Sequence, residues 1–203
     1  MRTGVTWKRQ VIKLHFNMEH IYNQPQFGQN WFQPESAELF RRVVQSAHDG
    51  AKFVEIGSWK GKSSSYMAVE IANSGKQIEF NCIDTWEGSV EHQGMPDLEN
   101  LYEVFISNMT PVEKYYTPIR KTSSSASRLY KKESLDFIFI DASHEYEDVK
   151  EDIKLWLPKL KKGGIISGDD YSNPGFPGVK QAVDEHFGAD VVASHFTWEY
   201  TKK

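Results

Sequence analysis

The feature that most constrains this chain is a series of short apolar segments that carry acidic residues near their ends and alternate with helical patterns. The four clearest segments are Ala51–Gly57, Gln77–Asp84, Leu135–Asp141 and Gly164–Asp169. Short runs rich in β-branched and aromatic residues are typical of buried strands. Strands that alternate with helices predict βαβ units, in which the strands run parallel and helices cover both faces of the sheet.

Apolar residues between these segments recur at helical spacing. Helices are predicted over Phe40–Ala47, Ser63–Ser74, Tyr146–Leu160 and Val179–Phe187. Gly50, Gly75 and the pair Gly163-Gly164 are predicted to end the first three of them. Weaker patterns predict a helix near 99–109, a strand at 115–119, a short helix at 123–131 and closing strands at 191–193 and 196–201. We therefore expect an α/β fold that is Rossmann-like and doubly wound, with a mostly parallel seven-stranded sheet and helices on both faces.

Length and composition exclude several classes of protein. The 203 residues fit one domain, expected over residues 34–203, with residues 1–33 as an N-terminal extension or cap. The 39% hydrophobic content excludes a disordered chain, and no apolar run approaches the ~18 residues of a membrane span. One cysteine, Cys82, excludes a disulfide framework. The net charge of −4 argues against nucleic-acid and membrane partners. We expect a cytoplasmic protein whose partner is a small molecule and which can form a homo-oligomer.

The first candidate binding motif is the turn Glu55-Ile-Gly57-Ser58-Trp59-Lys60-Gly61, which precedes a helix that opens Lys62-Ser63-Ser64. Glycines at such a turn let the backbone approach a ligand, which the free N–H groups of the helix start then face. The spacing of Gly57 and Gly61 matches neither the dinucleotide fingerprint nor the P-loop. Asp84, at the end of the second strand, is placed to accept hydrogen bonds from ribose hydroxyls. An adenosine ligand is favoured, with a plain strand–helix turn and a turn-forming Asp as the alternatives.

The second candidate motif combines Asp141-Ala-Ser-His144 with Asp169-Asp170. Two neighbouring strands bring three carboxylates to one edge of the sheet, where their mutual repulsion favours a bound cation. Mg²⁺ prefers oxygen ligands and suits such a site. The alternative is that Asp170 only caps the following turn and that Asp141 only caps a helix. His144 has a side chain whose usual pKa near 6.5 fits a general base near neutral pH.

Taken together, the motifs EIGSWKG, FIFIDASHEY, GGIISGDDY and PGVKQAVDEHF resemble those of class I S-adenosylmethionine-dependent methyltransferases. More narrowly, the chain resembles the metal-dependent O-methyltransferases related to the macrocin and mycinamicin sugar methyltransferases. The resemblance runs from about Phe53 to the C-terminus. It implies that Glu55, Gly57, Ser58 and Gly61 hold the methionine part of the cofactor, with Ser64 as a further contact.

The same resemblance implies roles for the remaining candidates. Asp84 would hold the ribose and Ser123 the adenine, while Asp141, Asp169 and Asp170 would hold Mg²⁺ or another divalent cation. His144 would be the base, and Asp141 would contact both the cofactor and the reaction centre. The N-terminal part would cap the acceptor through Tyr22, Trp31 and Phe32, and residues 86–109 show no family pattern.

The function implied is methyl transfer from S-adenosyl-L-methionine to a hydroxyl of a small molecule, such as a sugar or a vicinal diol. Three alternatives stay open on the sequence alone. The chain could be an NAD-linked oxidoreductase on the same fold, a cofactor-binding module without catalysis, or a nucleic-acid methyltransferase. The three clustered acids argue against the first two, and the acidic charge balance argues against the third.

Overall fold

The structure is a computed structural model that describes residues 17–28, 31–89 and 92–203. Its centre is a seven-stranded sheet with the order β3-β2-β1-β4-β5-β7-β6. The strands are β1 (Lys52–Ile56), β2 (Glu79–Asp84), β3 (Thr117–Arg120), β4 (Leu135–Ile140), β5 (Leu160–Gly168), β6 (Val192–Ser194) and β7 (Thr197–Thr201). β1 to β5 pair in parallel, while β7 is antiparallel to both β5 and β6. The predicted fold class is confirmed.

Helices pack on both faces of this sheet. They are α1 (Pro34–Ser46), α2 (Lys62–Ser74), α3 (Leu101–Met109), α4 (Ser123–Ser127), α5 (Tyr146–Trp156) and α6 (Pro177–Phe187). Successive strand residues point to opposite faces, so Phe137 belongs to one core cluster with α1, α2 and α3, and Ile138 to another with α5 and α6. Because both faces are buried, the central strands are almost wholly apolar. None of the helices in the described ranges is long and apolar enough to cross a membrane.

The end of α5 differs from the prediction. The helix ends at Trp156 and not at Gly163-Gly164, because Pro158 has no N–H to continue the helical hydrogen bonds. Leu160, predicted as the last apolar residue of the helix, is the first residue of β5. The two glycines lie inside β5, where the register with β4 shifts.

The chain ahead of α1 lies against α2. Met18 exchanges two hydrogen bonds with the Asn73 side chain, at 2.6 and 2.9 Å, and Phe27 is buried. Residues 1–16 of the predicted extension lie outside the described residues. The described part of the extension therefore runs along α2, from Asn73 near the end of the helix to Tyr66, on which Tyr22 packs.

The sheet order places the ligand-binding edge. β1 pairs with β2 on one side and with β4 on the other, so the chain changes direction across the sheet between these two neighbours. In open α/β sheets a crevice forms at such a switch point, outside the carboxyl ends of the strands. The candidate residues that follow β1, β2, β4 and β5 all lie at this edge.

Candidate active site

The turn between β1 and α2 is fixed by the neighbouring strand. Gly57 has a φ of +89°, and its N–H donates to the carbonyl of Ile83 at 2.8 Å. A Cβ at this position would lie 1.9 Å from the carbonyl oxygen of Asp141. Glycine is therefore required here by the backbone that follows β4, whatever ligand the turn also approaches.

Asp84 holds the same turn from the other side. Its Oδ2 accepts hydrogen bonds from the backbone N–H groups of Ser58 (2.9 Å) and Trp59 (2.8 Å), and its Oδ1 accepts one from Trp86 (2.7 Å). Burial raises the pKa of Asp84, although these hydrogen bonds act to lower it. Sequence reasoning placed Asp84 at the site but missed this role, which depends on where the turn's N–H groups point.

Glu55 and Ser64 lie beneath the turn. Glu55 is buried, and its Oε2 accepts hydrogen bonds from the hydroxyls of Ser58 (2.9 Å) and Ser64. Burial raises the pKa of Glu55 to about 7. Although both residues were predicted to contact the cofactor, they line neither of the cavities described next, and neither does Gly61. In this structure they support the turn from below.

A first cavity of about 390 Å³ opens at the carboxyl ends of β1, β2 and β4. Four of the predicted cofactor residues lie in its wall: Gly57, Asp84, Ser123 and Asp141. Its volume is within the usual range of small-molecule and cofactor sites. This cavity can hold an elongated polar ligand that runs from the β1–α2 turn to the start of α4.

A second cavity of about 360 Å³ lies beside the first. The two share five wall residues, Gly57, Trp59, His92, Asp141 and Ala142. Ser58, the remaining predicted cofactor residue, lines the second cavity only.

Aromatic side chains from distant segments form the outer wall of the second cavity. They are Phe27, Trp31, Phe32, Phe176 and Phe196. Trp31 and Phe32, which were predicted to belong to a cap over the acceptor, lie in this wall, whereas Tyr22 packs on Phe32 and Tyr66.

One side of the second cavity carries a cluster of ionisable groups. Asp141, His144 and Asp170 offer ligand atoms that all lie within 4.8 Å of one another. His144 Nε2 is 3.0 Å from Asp170 Oδ2 and 3.8 Å from Asp141 Oδ1, and its ring stacks on Phe176. Burial opposes a charge on His144, but hydrogen bonds to Asp141 and Asp170 outweigh it and raise its pKa to about 11. The imidazolium of His144 is thus the positive partner of these two carboxylates.

Asp169 lies beside this cluster, with one carboxylate oxygen unpaired in the described part of the chain. It is buried, and its Oδ1 has no hydrogen-bond partner within the described residues. Burial and the charges of Asp141 and Asp170 raise its pKa to about 8. Of the three predicted metal ligands, Asp141 and Asp170 lie close enough together to hold one ion, and His144 lies within the same distance of both. Asp169 adds a carboxylate close by. Carboxylate oxygens with one imidazole nitrogen fit a small divalent cation.

Comparisons with known proteins agree with this architecture. A family model described as a methyltransferase domain matches residues 54–171. The uncharacterized protein y4gI of Sinorhizobium fredii is 30% identical over 165 residues, which are 78% of this chain and 18% of that protein. The uncharacterized protein R132 of Acanthamoeba polyphaga mimivirus is 28% identical over 157 residues, 73% of this chain and 64% of that one. The chain thus spans less than two thirds of either relative.

Solved structures share the fold. The O-methyltransferase NovP superposes with a TM-score of 0.61 at 18% identity, covering 82% of this chain and 79% of NovP. An O-methyltransferase from Bacillus cereus in complex with SAH gives 0.58 at 18% identity, with 84% and 82% covered. CalS11, a TDP-rhamnose 3'-O-methyltransferase of calicheamicin biosynthesis, gives 0.57 at 17% identity, with 82% and 77% covered. At such identities the likeness is one of fold.

Proposed function

The chain belongs to the family of methyltransferase domains, and from this premise we propose that it transfers a methyl group from S-adenosylmethionine to a hydroxyl of a small molecule. The observation that carries the proposal is the pair of cavities that meet at Gly57 and Asp141. A methyl donor in one cavity and an acceptor in the other would face each other across this boundary. Holding two reactants in such an arrangement is a major part of catalysis when the methyl group is already activated.

The first cavity suits S-adenosylmethionine. Gly57 and Trp59 lie at the end nearest the second cavity, where the reactive sulfonium would have to be. Asp84 lies further along the wall. Its oxygens already accept backbone N–H groups, so a ribose hydroxyl that donates to Asp84 would share an oxygen with the N–H groups of the turn. Ser123 lies at the opposite end, where the adenine would be bound.

The second cavity suits an acceptor with a ring and adjacent hydroxyls. Its aromatic wall offers flat apolar surfaces, while its acidic side offers hydrogen-bond acceptors for hydroxyl groups. A sugar or a vicinal diol combines both properties, and CalS11, which shares the fold, acts on a sugar nucleotide. We further propose that residues 34–203 form the catalytic domain and that the segment before them caps the acceptor.

Asp141, Asp169 and Asp170 would hold a divalent cation such as Mg²⁺. When bound, this cation would supply the positive charge that lowers the pKa of an acceptor hydroxyl. Contacts with Asp141 and Asp170 raise the pKa of His144 to about 11. A cation held by these carboxylates would supply positive charge that lowers this pKa, so that His144 would be available as a neutral base. Its Nε2 would then take the proton of the acceptor hydroxyl.

Calorimetric titration with S-adenosylhomocysteine tests the cofactor, with NADH as the control ligand. We expect the first to bind and the second not to bind. Binding of NADH without S-adenosylhomocysteine would contradict the proposal and favour the oxidoreductase alternative.

Methyl transfer to a vicinal diol, assayed with Mg²⁺ and with EDTA, tests the cation. Asp170→Asn should lose most of the Mg²⁺-supported turnover yet still bind S-adenosylhomocysteine, because Asp170 lines only the second cavity. Asp190→Asn is the matched control, since Asp190 is an exposed acid paired with Lys203 away from both cavities. Full activity in EDTA would refute the role of the cation.

A further inference from the structure

A buried carboxyl group lies in the wall of the first cavity, at the end opposite the β1–α2 turn. Asp152, on α5, is only 7% exposed and lines the cavity together with Ser123 at the start of α4. The Ser123 hydroxyl donates a hydrogen bond to Asp152 Oδ1. Trp156, one helical turn after Asp152, donates from its Nε1 to the same hydroxyl at 2.8 Å.

The direction of this hydrogen-bond chain is fixed by its first member. An indole N–H can only donate, so the Ser123 oxygen accepts from Trp156 and gives its own proton to Asp152. Asp152 Oδ1 is therefore always an acceptor. Its other oxygen, Oδ2, has no donor among the residues that the structure describes, and it is the atom that remains available to a ligand.

The surroundings of the Asp152 carboxyl group disfavour its ionised form. Burial raises its pKa to about 7, against the hydrogen bond from Ser123 and with the help of the negative charges of Asp148 and Glu151. Oδ2 is not among the fully buried atoms that lack a partner, so it can be reached from the cavity that Asp152 lines. Water donates to Oδ2 in the free protein, and a bound ligand with a suitable N–H group can replace it as the donor.

We propose that Asp152 Oδ2 accepts a hydrogen bond from the exocyclic amino group of a purine, and that it thereby selects adenine over a 6-oxo purine. The inference rests on the proposed function, because it takes the base of the cofactor to lie beside Ser123. Adenine presents an N–H donor to Oδ2 at this position. A 6-oxo purine presents an oxygen, which would leave two acceptors facing each other, and a site built around a hydrogen bond rejects such an analogue strongly.

The test compares the binding of S-adenosylhomocysteine with that of S-inosylhomocysteine, which differs at purine position 6, by calorimetry at pH 8, where the Asp152 carboxyl is mostly ionised. The wild type should prefer the adenine compound by about tenfold or more. In Asp152→Asn the Ser123 hydroxyl still requires an acceptor, so the amide oxygen should face Ser123 and the amide NH₂ should face the cavity. The variant should then bind the inosine compound more tightly than the adenine compound.

Glu147→Gln is the matched control, because Glu147 is an exposed acid on the same helix that lines neither cavity. It should keep the wild-type preference. An Asp152→Asn variant that also keeps this preference would mean that Asp152 only ties α5 to α4, and the inference would be overturned.

The wild-type comparison decides the matter even if Asp152→Asn does not fold. Equal affinity of the wild type for the two compounds would overturn the inference and leave the proposed cofactor intact. Failure of the wild type to bind either compound would overturn the proposed function, and this inference with it.

Discussion

Replacing Gly57 by alanine should destabilise the protein far more than the same replacement at Gly50. The two glycines have nearly the same left-handed backbone, with φ of +89° and +85°. An added Cβ meets nothing within 4 Å at Gly50. At Gly57 it would lie 1.9 Å from the carbonyl oxygen of Asp141 and 2.7 Å from Cα of Ala142. Both of these are backbone atoms, so no change of rotamer can relieve the contact.

Both variants lose stability because alanine is placed in a left-handed conformation, and only Gly57→Ala also loses stability through contacts of the added Cβ. Alanine in a left-handed conformation costs about 1–2 kcal/mol at either position. At Gly57 the ends of β1 and β4 must also separate, at a cost of about 1–3 kcal/mol for overpacking. The hydrogen bonds from Gly57 N–H to Ile83 and from Asp141 N–H to Ile56, both 2.8 Å, would weaken as well, by up to about 1 kcal/mol each. The expected excess at Gly57 is therefore about 3 kcal/mol, a large part of a typical total stability.

Thermal and urea unfolding of both variants measures this difference. For a chain of this size, an excess of about 3 kcal/mol lowers Tm by roughly 6–12 °C more in Gly57→Ala than in Gly50→Ala. Gly57→Ala should also weaken S-adenosylhomocysteine binding, since the displaced Asp141 lines both cavities. Equal losses of stability in the two variants would refute the argument from backbone contact.

Two further predictions concern buried acids. Asp169→Asn should stabilise the protein at pH 7 without divalent ions, because the raised pKa of Asp169 means that folding disfavours its ionised form. Added Mg²⁺ should raise the Tm of the wild type and not that of this variant; a variant less stable than the wild type in EDTA would speak against this. Folding raises the pKa of Glu55 from 4.5 to about 7, so its contribution to stability falls as pH rises through that range. Glu55→Gln should gain in urea midpoint over the wild type between pH 5 and pH 8, and an equal difference at both pH values would contradict this.

The strands and the position of the site could be predicted because burial on both faces is visible in composition. β1, β2 and β4 are apolar runs, and parallel strands bring their carboxyl ends to one edge. The approach of Asp84, Asp141 and Asp170 to that edge follows from strand order alone. Their location was therefore within reach of sequence reasoning.

The end of α5 was predicted wrongly because apolar periodicity continues past it. Leu160 is buried as the first residue of β5, and an apolar residue at this spacing does not distinguish a helix from a strand. Pro158 was the signal that a helix could not continue, and it outweighs the later glycines. A proline inside a helical pattern is thus better evidence for a boundary than the glycines that follow it.

Side-chain direction was beyond the sequence. His144 turns toward Asp170, and the oxygens of Asp84 accept hydrogen bonds from backbone N–H groups. Both orientations depend on loop conformations, which leave no periodic pattern in the sequence. The aromatic wall of the second cavity is set by long-range packing. Phe27 and Phe196 come from opposite ends of the chain and meet only through the sheet.

The boundary between the cavities has a consequence for inhibitor design. It includes Trp59 and His92, whose stacked rings have centroids 4.3 Å apart, and the glycine at position 57 adds no side chain to it. A single molecule that passes this glycine would occupy both cavities at once. Its second half would bind at an effective concentration set by the linker instead of its concentration in solution, so two weak fragments joined there would bind far more tightly than either alone.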